Sequence, residues 1–377
     1  MPGVPPSTTR RRLLAGGAGA LAAAGGGAWA WRRTTGSPTD YARWAQALRA
    51  PFDPNRGLGE LVRYASLAAN GHNTQPWRFV ASAGLLRVQA DRTRRTPFVD
   101  PDDHHLFVSL GCAAENLAIA GRATGRPGAL EFESDDGGRL AWHFGQAAPV
   151  ADRLFDAIAR RQSTRATFDG RPIPARDLDA LARAAQEPGV RLVLRTDPAQ
   201  RAALRDLILA ANDAQVAEPA FLDELARWIR FNPASARRLG DGLFSATSGA
   251  PALPDAIGRW SLRAFVTARG EREKLARQLA SSPVFAVFVG DAADPRHWTS
   301  VGRACQRLCL AATALGLKVA FVNQAVEVAA LRPALASTIG EAGRRPDLVL
   351  RLGYGPSMPL SPRRGEADLL VDGASDA

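Results

Sequence analysis

With 377 residues, 46% of them apolar and few aromatic, the chain is long enough for one large or two ordinary domains around a true core. Its net charge of +11 does not mark a nucleic-acid binder. Arg10, Arg11, Arg12, Arg32 and Arg33 crowd the first 33 residues, every other basic residue except Lys274 and Lys318 is Arg, and no basic helix with interleaved aromatics follows. Cys112, Cys305 and Cys309 are too few for a disulfide framework, and Cys305 and Cys309, on adjacent helical turns, read as buried thiols.

At the N-terminus, Arg10-Arg11-Arg12-Leu13-Leu14 leads into a Gly/Ala-rich apolar run that reaches Trp31. Ala28-Trp29-Ala30 fits a small-x-small cleavage site. Paired arginines before a weakly apolar run resemble a twin-arginine (Tat) signal, so residues 1–36 are read as signal and linker. That predicts export to an extracytoplasmic space, with the Tat machinery as a partner. Trp29 and Trp31 ahead of two Arg also fit an interfacial belt, which makes a retained membrane anchor the alternative. No later segment has the roughly 18 to 20 uninterrupted apolar residues that a spanning helix requires.

The pattern then predicts a helix over about 57–69, a polar turn, and strands at Trp77–Ser82 and Leu85–Ala90. A helix apolar on most faces follows, Ser109 to Gly125, with a β-like segment at Gly128–Phe132. Its small and apolar residues recur in Ser300 to Gly316 at a constant offset, since 302 − 111, 308 − 117 and 316 − 125 all equal 191. Between the two repeats the sequence predicts helices at about 150–161, 175–186 and 198–214, and a strand at Val190–Arg195. Further strands are expected at Ser282–Gly290, Lys318–Val322 and Asp347–Tyr354. The chain therefore reads as two related α+β halves, 37–148 and 149–377, each built on a mixed or antiparallel sheet with a long central helix. Residues 215–280 have no counterpart in the first half and read as a helical lid insertion.

Three segments concentrate polar chemistry. Asn70-Gly71-His72-Asn73-Thr74-Gln75-Pro76-Trp77 has more hydrogen-bonding side chains than a turn needs. Arg161-Gln162-Ser163-Thr164-Arg165, and Gly353-Tyr354-Gly355 followed by Pro362-Arg363-Arg364, set guanidinium groups beside small polar residues, a chemistry suited to phosphate. Asp100-Pro101-Asp102-Asp103-His104 reads as a turn and helix N-cap. His72, His104, His105, His143 and His297 show no metal-ligand spacing, so no metal site is expected.

Together the Asn73-x-Gln75-Pro-Trp-Arg-Phe loop, the Arg161-x-Ser163-x-Arg165 segment, the Gly302–Gly316 helix and the Gly-Tyr-Gly…Pro-Arg-Arg ending resemble the FMN-dependent nitroreductase family. The tandem arrangement is similar to its double-domain, Acg-like branch. Where the family has Ala-Pro-Ser before the loop, this chain has Ala68-Ala69-Asn70. The resemblance implies that the two halves form a pseudo-dimer, monomeric as a chain, with one FMN between them. In that reading Arg161, Ser163, Arg165, Arg363 and Arg364 hold the ribityl phosphate. Asn70, Asn73 and Gln75 reach the flavin ring, and Asn323 and Gln324 follow the strand that places a backbone N–H against it. The activity implied is electron transfer from reduced FMN to a nitro- or quinone-like small molecule, with NAD(P)H as a possible reductant and no dedicated catalytic side chain. The alternative is a non-catalytic protein that sequesters FMN beneath its lid.

Overall fold

The computed structural model describes residues 31–265 and 267–373, so the signal-like run up to residue 30 lies outside the described residues. The helices are α1 (Pro38–Ala47), α2 (Gly57–Ser66), α3 (His104–Ala123), α4 (Arg153–Ile158), α5 (Ala175–Ala184), α6 (Pro198–Val216) and α7 (Pro219–Trp228). They continue with α8 (Pro233–Leu239), α9 (Asp255–Phe265), α10 (Ala268–Ala280), α11 (Pro295–Ala314), α12 (Gln324–Glu327) and α13 (Arg332–Thr338). The strands are β1 (Trp77–Ser82), β2 (Leu85–Ala90), β3 (Gly128–Glu133), β4 (Arg139–Phe144), β5 (Val190–Arg195) and β6 (Ile229–Arg230). After them come β7 (Leu243–Phe244), β8 (Val284–Gly290), β9 (Lys318–Phe321), β10 (Pro346–Gly353) and β11 (Leu370–Asp372). No helix among the described residues is long and apolar enough to cross a membrane.

The strands form two main sheets. The first runs β11-β1-β2-β4-β3 and is antiparallel except where β11 lies parallel to β1, with Phe79 opposite Leu370. The second runs β5-β8-β10-β9 and is antiparallel throughout. Period-two alternation sorts the second sheet's side chains. Val284, Ala286 and Phe288 of β8, with Leu348, Leu350 and Leu352 of β10, enter the large core that also holds Trp77, Phe79 and Trp142 of the first sheet. Phe285, Val287, Val289 and Val349 point the other way, to Leu204 and Ile208 of α6, Leu279 of α10 and Leu335 of α13. The second sheet is therefore covered on both faces.

Helices α3 and α11 run through the centre; α3 is buried nearly all round, while α11 buries one side and carries Arg303 and Arg307 on another. Both start on an acid. Asp100 accepts from the N–H groups of His105 and Leu106 at 2.8 and 2.9 Å, and Asp294 accepts from His297 N–H at 3.0 Å. They touch backbone to backbone where no side chain intervenes. A Cβ on Gly111 would overlap the Thr299 carbonyl, and one on Gly302 would overlap the Val108 carbonyl. Positions 108 and 299, like 111 and 302, are separated by the 191-residue offset of the sequence repeat. All three cysteines are free and buried along this crossing.

Candidate functional site

A cavity of about 230 Å³ opens where the loop after α2, the first turns of α3, the segment after α4, the β9–α12 junction and the Pro359–Arg363 stretch converge. Of the ten residues singled out in the sequence, Asn70, Asn73, Arg161, Ser163, Arg165, Asn323, Gln324 and Arg363 line it. Gln75 and Arg364 do not. Gln75 is fully buried, donates through Nε2 to Gly240 O at 2.9 Å and accepts at Oε1 from Arg364 N–H at 2.9 Å. Arg364 turns its guanidinium to the Gln75, Trp77 and Asp368 carbonyls. Both residues brace the loop from behind.

That loop is strained. His72, Asn73 and Gln75 have φ of 46°, 53° and 52°, a left-handed conformation that costs on the order of 1–3 kcal/mol for each non-glycine residue. External contacts hold it there. Asn73 donates to Gly242 O at 2.9 Å and Pro362 O at 3.1 Å, and its own carbonyl accepts from Gly242 N–H at 2.9 Å. Asn70 closes the turn by accepting from Gln75 N–H at 2.9 Å. The strain sets His72 against the cavity with a buried Nδ1 that has no hydrogen-bond partner. Burial, followed by Arg165 and His105, pushes the His72 imidazole down to about 4, so the ring is neutral at physiological pH.

One part of the wall is cationic. Arg49, Arg161, Arg165 and Arg363 line it, and among the described residues the one carboxyl in the lining is Glu327. Arg351 fixes the Arg161–Phe168 segment from below, donating to the Thr164 and Ala166 carbonyls at 3.1 and 2.8 Å, while Thr164 N–H reaches Val319 O at 2.8 Å. The four guanidinium groups differ in what they have left to give. Arg363 spends all five N–H donors within the protein, on Ser66 O, Asn73 Oδ1, Pro362 O, Leu67 O and Ala68 O. Arg49 donates to Ala45 O and Ser361 O, and burial pushes it down to about 10. Arg161 donates to Leu67 O at 3.0 Å and weakly to Ser163 Oγ at 3.5 Å, leaving its Nε buried without a partner. Arg165 makes no side-chain hydrogen bond or ion pair among the described residues, and Ser163 is exposed beside it. Burial lowers Arg161 and Arg363, and at Arg363 the neighbouring Arg49 and Arg161 lower it further. An anion with several acceptor oxygens is what this wall lacks.

A second group was legible in the sequence only at Gln324. His105, Gln215, Gln324 and Glu327 line the cavity alongside His72. Gln215 Nε2 donates to Glu327 Oε2 at 2.6 Å, and Glu327 Oε1 lies 4.0 Å from His105 Nδ1. Gln324 Oε1 is buried without a donor. These residues come from α3, α6 and α12, and no spacing in the sequence links them. Phe221, Leu243 and Thr247, from residues 215–280, also line the cavity.

The fold and this site define a nitroreductase-type protein. The Nitroreductase family model matches residues 158–354, and the chain belongs to that family. It is 24% identical over 331 residues to the "Putative NAD(P)H nitroreductase Rv3131" of Mycobacterium tuberculosis, an alignment covering 84% of this chain and 92% of the relative. Among solved structures it is similar to the FMN-dependent nitroreductase NfnB from Mycobacterium smegmatis in complex with NADPH, at 14% identity and a TM-score of 0.37, covering 57% of this chain and 96% of that one. It is also similar to a nitroreductase with bound FMN from Desulfitobacterium hafniense, at 17% identity and a TM-score of 0.36, covering 57% and 94%.

Proposed function

We propose that this chain is an FMN-dependent oxidoreductase that passes electrons to a nitro- or quinone-like small molecule, with NAD(P)H as the reductant. The observation that carries the reading is the cationic wall, where the Arg165 side chain makes no hydrogen bond or ion pair among the described residues and Arg161 Nε is buried and unpaired beside an exposed Ser163. These three residues would hold the FMN phosphate. Arg363 and Asn73, whose side chains are committed to one another at 2.7 Å, would shape the pocket rather than touch the ligand. Bound FMN would supply two-electron chemistry, and the protein supplies the anion site, the orientation and the exclusion of water.

In this proposal residues 37–148 and 149–377 act as the two halves of a pseudo-dimer within a monomeric chain. The reading is supported by the reciprocal approach at Gly111 and Gly302 and by the matching 191-residue offset. It also explains a single flavin per chain. Cys112 lines the cavity, and the residue at that offset, Arg303, instead pairs with Glu115 at 2.9 Å and Glu187 at 2.7 Å. Arg307 bridges the same two acids at 2.9 and 2.6 Å, so ion pairs fill the related position. A flavin-to-protein ratio near two in the purified protein would refute this arrangement.

The test of activity is anaerobic mixing of FMN-loaded protein with NADPH or NADH, followed by a nitroaromatic or a quinone. Bleaching and then reoxidation is the expected result. The second reading, sequestration, is favoured by one observation, the presence of Phe221, Leu243 and Thr247 of the 215–280 segment in the cavity lining. It predicts bleaching by dithionite alone, without turnover. We further propose Tat-dependent export directed by the first 36 residues, with an uncleaved anchor as the variant form. Replacing Arg10, Arg11 and Arg12 by Lys should retain the protein in the cytoplasm.

A further inference from the structure

We propose that Glu327 is a catalytic acid that hands a proton to the acceptor's oxygen, with Gln215 as the residue that positions it. The inference rests on the flavin oxidoreductase reading above and adds a residue that reading does not use.

The position selects Glu327 from its neighbours. Asp100 and Glu224 are the acids close enough to Glu327 to act on its carboxyl. Asp100 spends both oxygens on the N–H groups of His105 and Leu106, and Glu224 spends both on those of Phe98 and Val99. These two acids are structural. Glu327 accepts no backbone N–H, and among the described residues it is the one carboxyl that lines the cavity. Its Oε2 is fixed by Gln215 at 2.6 Å, while Oε1 has only the His105 ring, at 4.0 Å. Burial pushes the Glu327 carboxyl above its ordinary value. His105 and the Gln215 hydrogen bond oppose that rise, and Asp100 and Glu224 reinforce it. On the cavity side stands His72, whose imidazole burial keeps neutral.

Reduction of a quinone to its hydroquinone takes one hydride equivalent and one proton. Bound reduced FMN would supply the hydride equivalent. The proton comes from Glu327: its O–H bond breaks, an O–H bond forms on the acceptor, and the carboxylate is reprotonated from water. A positioned general acid of this kind contributes roughly 10²- to 10⁴-fold to the rate.

Two measurements test this. Infrared difference spectroscopy of wild type against Glu327→Gln, on the flavin-free protein, should show the C=O stretch of a protonated carboxyl at neutral pH that the substitution removes. Anaerobic stopped-flow should show reoxidation of Glu327→Gln by a benzoquinone slowed about a hundredfold or more, far beyond any change in its reduction by NADPH. Gln215→Leu should move the pH at which the carboxyl band disappears. Absence of the band, or reoxidation of Glu327→Gln at the wild-type rate, overturns the proposal. Failure of wild-type protein to bind FMN overturns the flavin reading itself, and titrating flavin fluorescence separates that outcome from the others.

Discussion

Arg363 and Arg165 carry the same side chain into the same cavity, yet the structure assigns them opposite consequences. In Arg363→Gln five donors disappear, but three of their acceptors keep another partner. Leu67 O retains Arg161, Ala68 O retains Asn70, and Pro362 O retains Asn73. Ser66 O and Asn73 Oδ1 are left buried and unpaired, and each such acceptor costs about 1–3 kcal/mol. The expected loss is therefore about 2–6 kcal/mol of folding stability in the flavin-free chain. Arg165→Ala removes no protein hydrogen bond, so stability should stay within about 0.5 kcal/mol, while the loss of charge-assisted bonds to phosphate should weaken FMN by about 10- to 100-fold. Urea unfolding of the flavin-free variants, paired with fluorescence titration of FMN, measures both quantities. The reasoning is refuted if Arg363→Gln unfolds like wild type and loses only flavin, or if Arg165→Ala is the destabilised variant.

Other expectations follow from the same contacts. Gly111→Ala and Gly302→Ala should each destabilise the chain by about 1–3 kcal/mol in chemical denaturation, with the double variant costing less than the sum because one separation of α3 from α11 relieves both overlaps. His72 has a folded-state value of about 4 against an ordinary 6.5, so the unfolded chain binds more protons between those limits. Stability should rise with pH across that window, by at most about 3 kcal/mol. His72→Asn, which tolerates the left-handed backbone, should flatten that slope in urea midpoints taken from pH 4 to 7, and an unchanged slope would contradict a neutral His72. Cys305 and Cys309 should resist a thiol reagent in the native protein and react fully in denaturant.

Several elements were legible because a local pattern decides them. The strands at Trp77–Ser82, Leu85–Ala90 and Val190–Arg195 fall where sequence placed them, and the central helices extend a few residues beyond the expected start because Asp100 and Asp294 cap them. Asp100 to His104 behaves as the expected turn and cap. The strand Arg139–Phe144 went unforeseen, and so did Leu370–Asp372, whose three residues are too short to show alternation and pair with a strand some 290 positions earlier. Motif matching gathered the right neighbourhood but not the direction in which each side chain points. Gln75 and Arg364 face away from the cavity, and Arg363 is used up, because left-handed φ values and carbonyl positions leave no trace in residue identity. Glu327, His105 and Gln215 come together only through the packing of α12, α3 and α6, a long-range arrangement that no local signal reports.

The parallel pairing of β11 with β1 bears on the order of events during synthesis. As the ribosome releases the chain, the edge of the first sheet stays open until residues near 372 have emerged, and Arg363, which fastens the end of α2, arrives only shortly before. The pocket is thus among the last features to close. A cofactor taken up by this protein would enter a finished molecule.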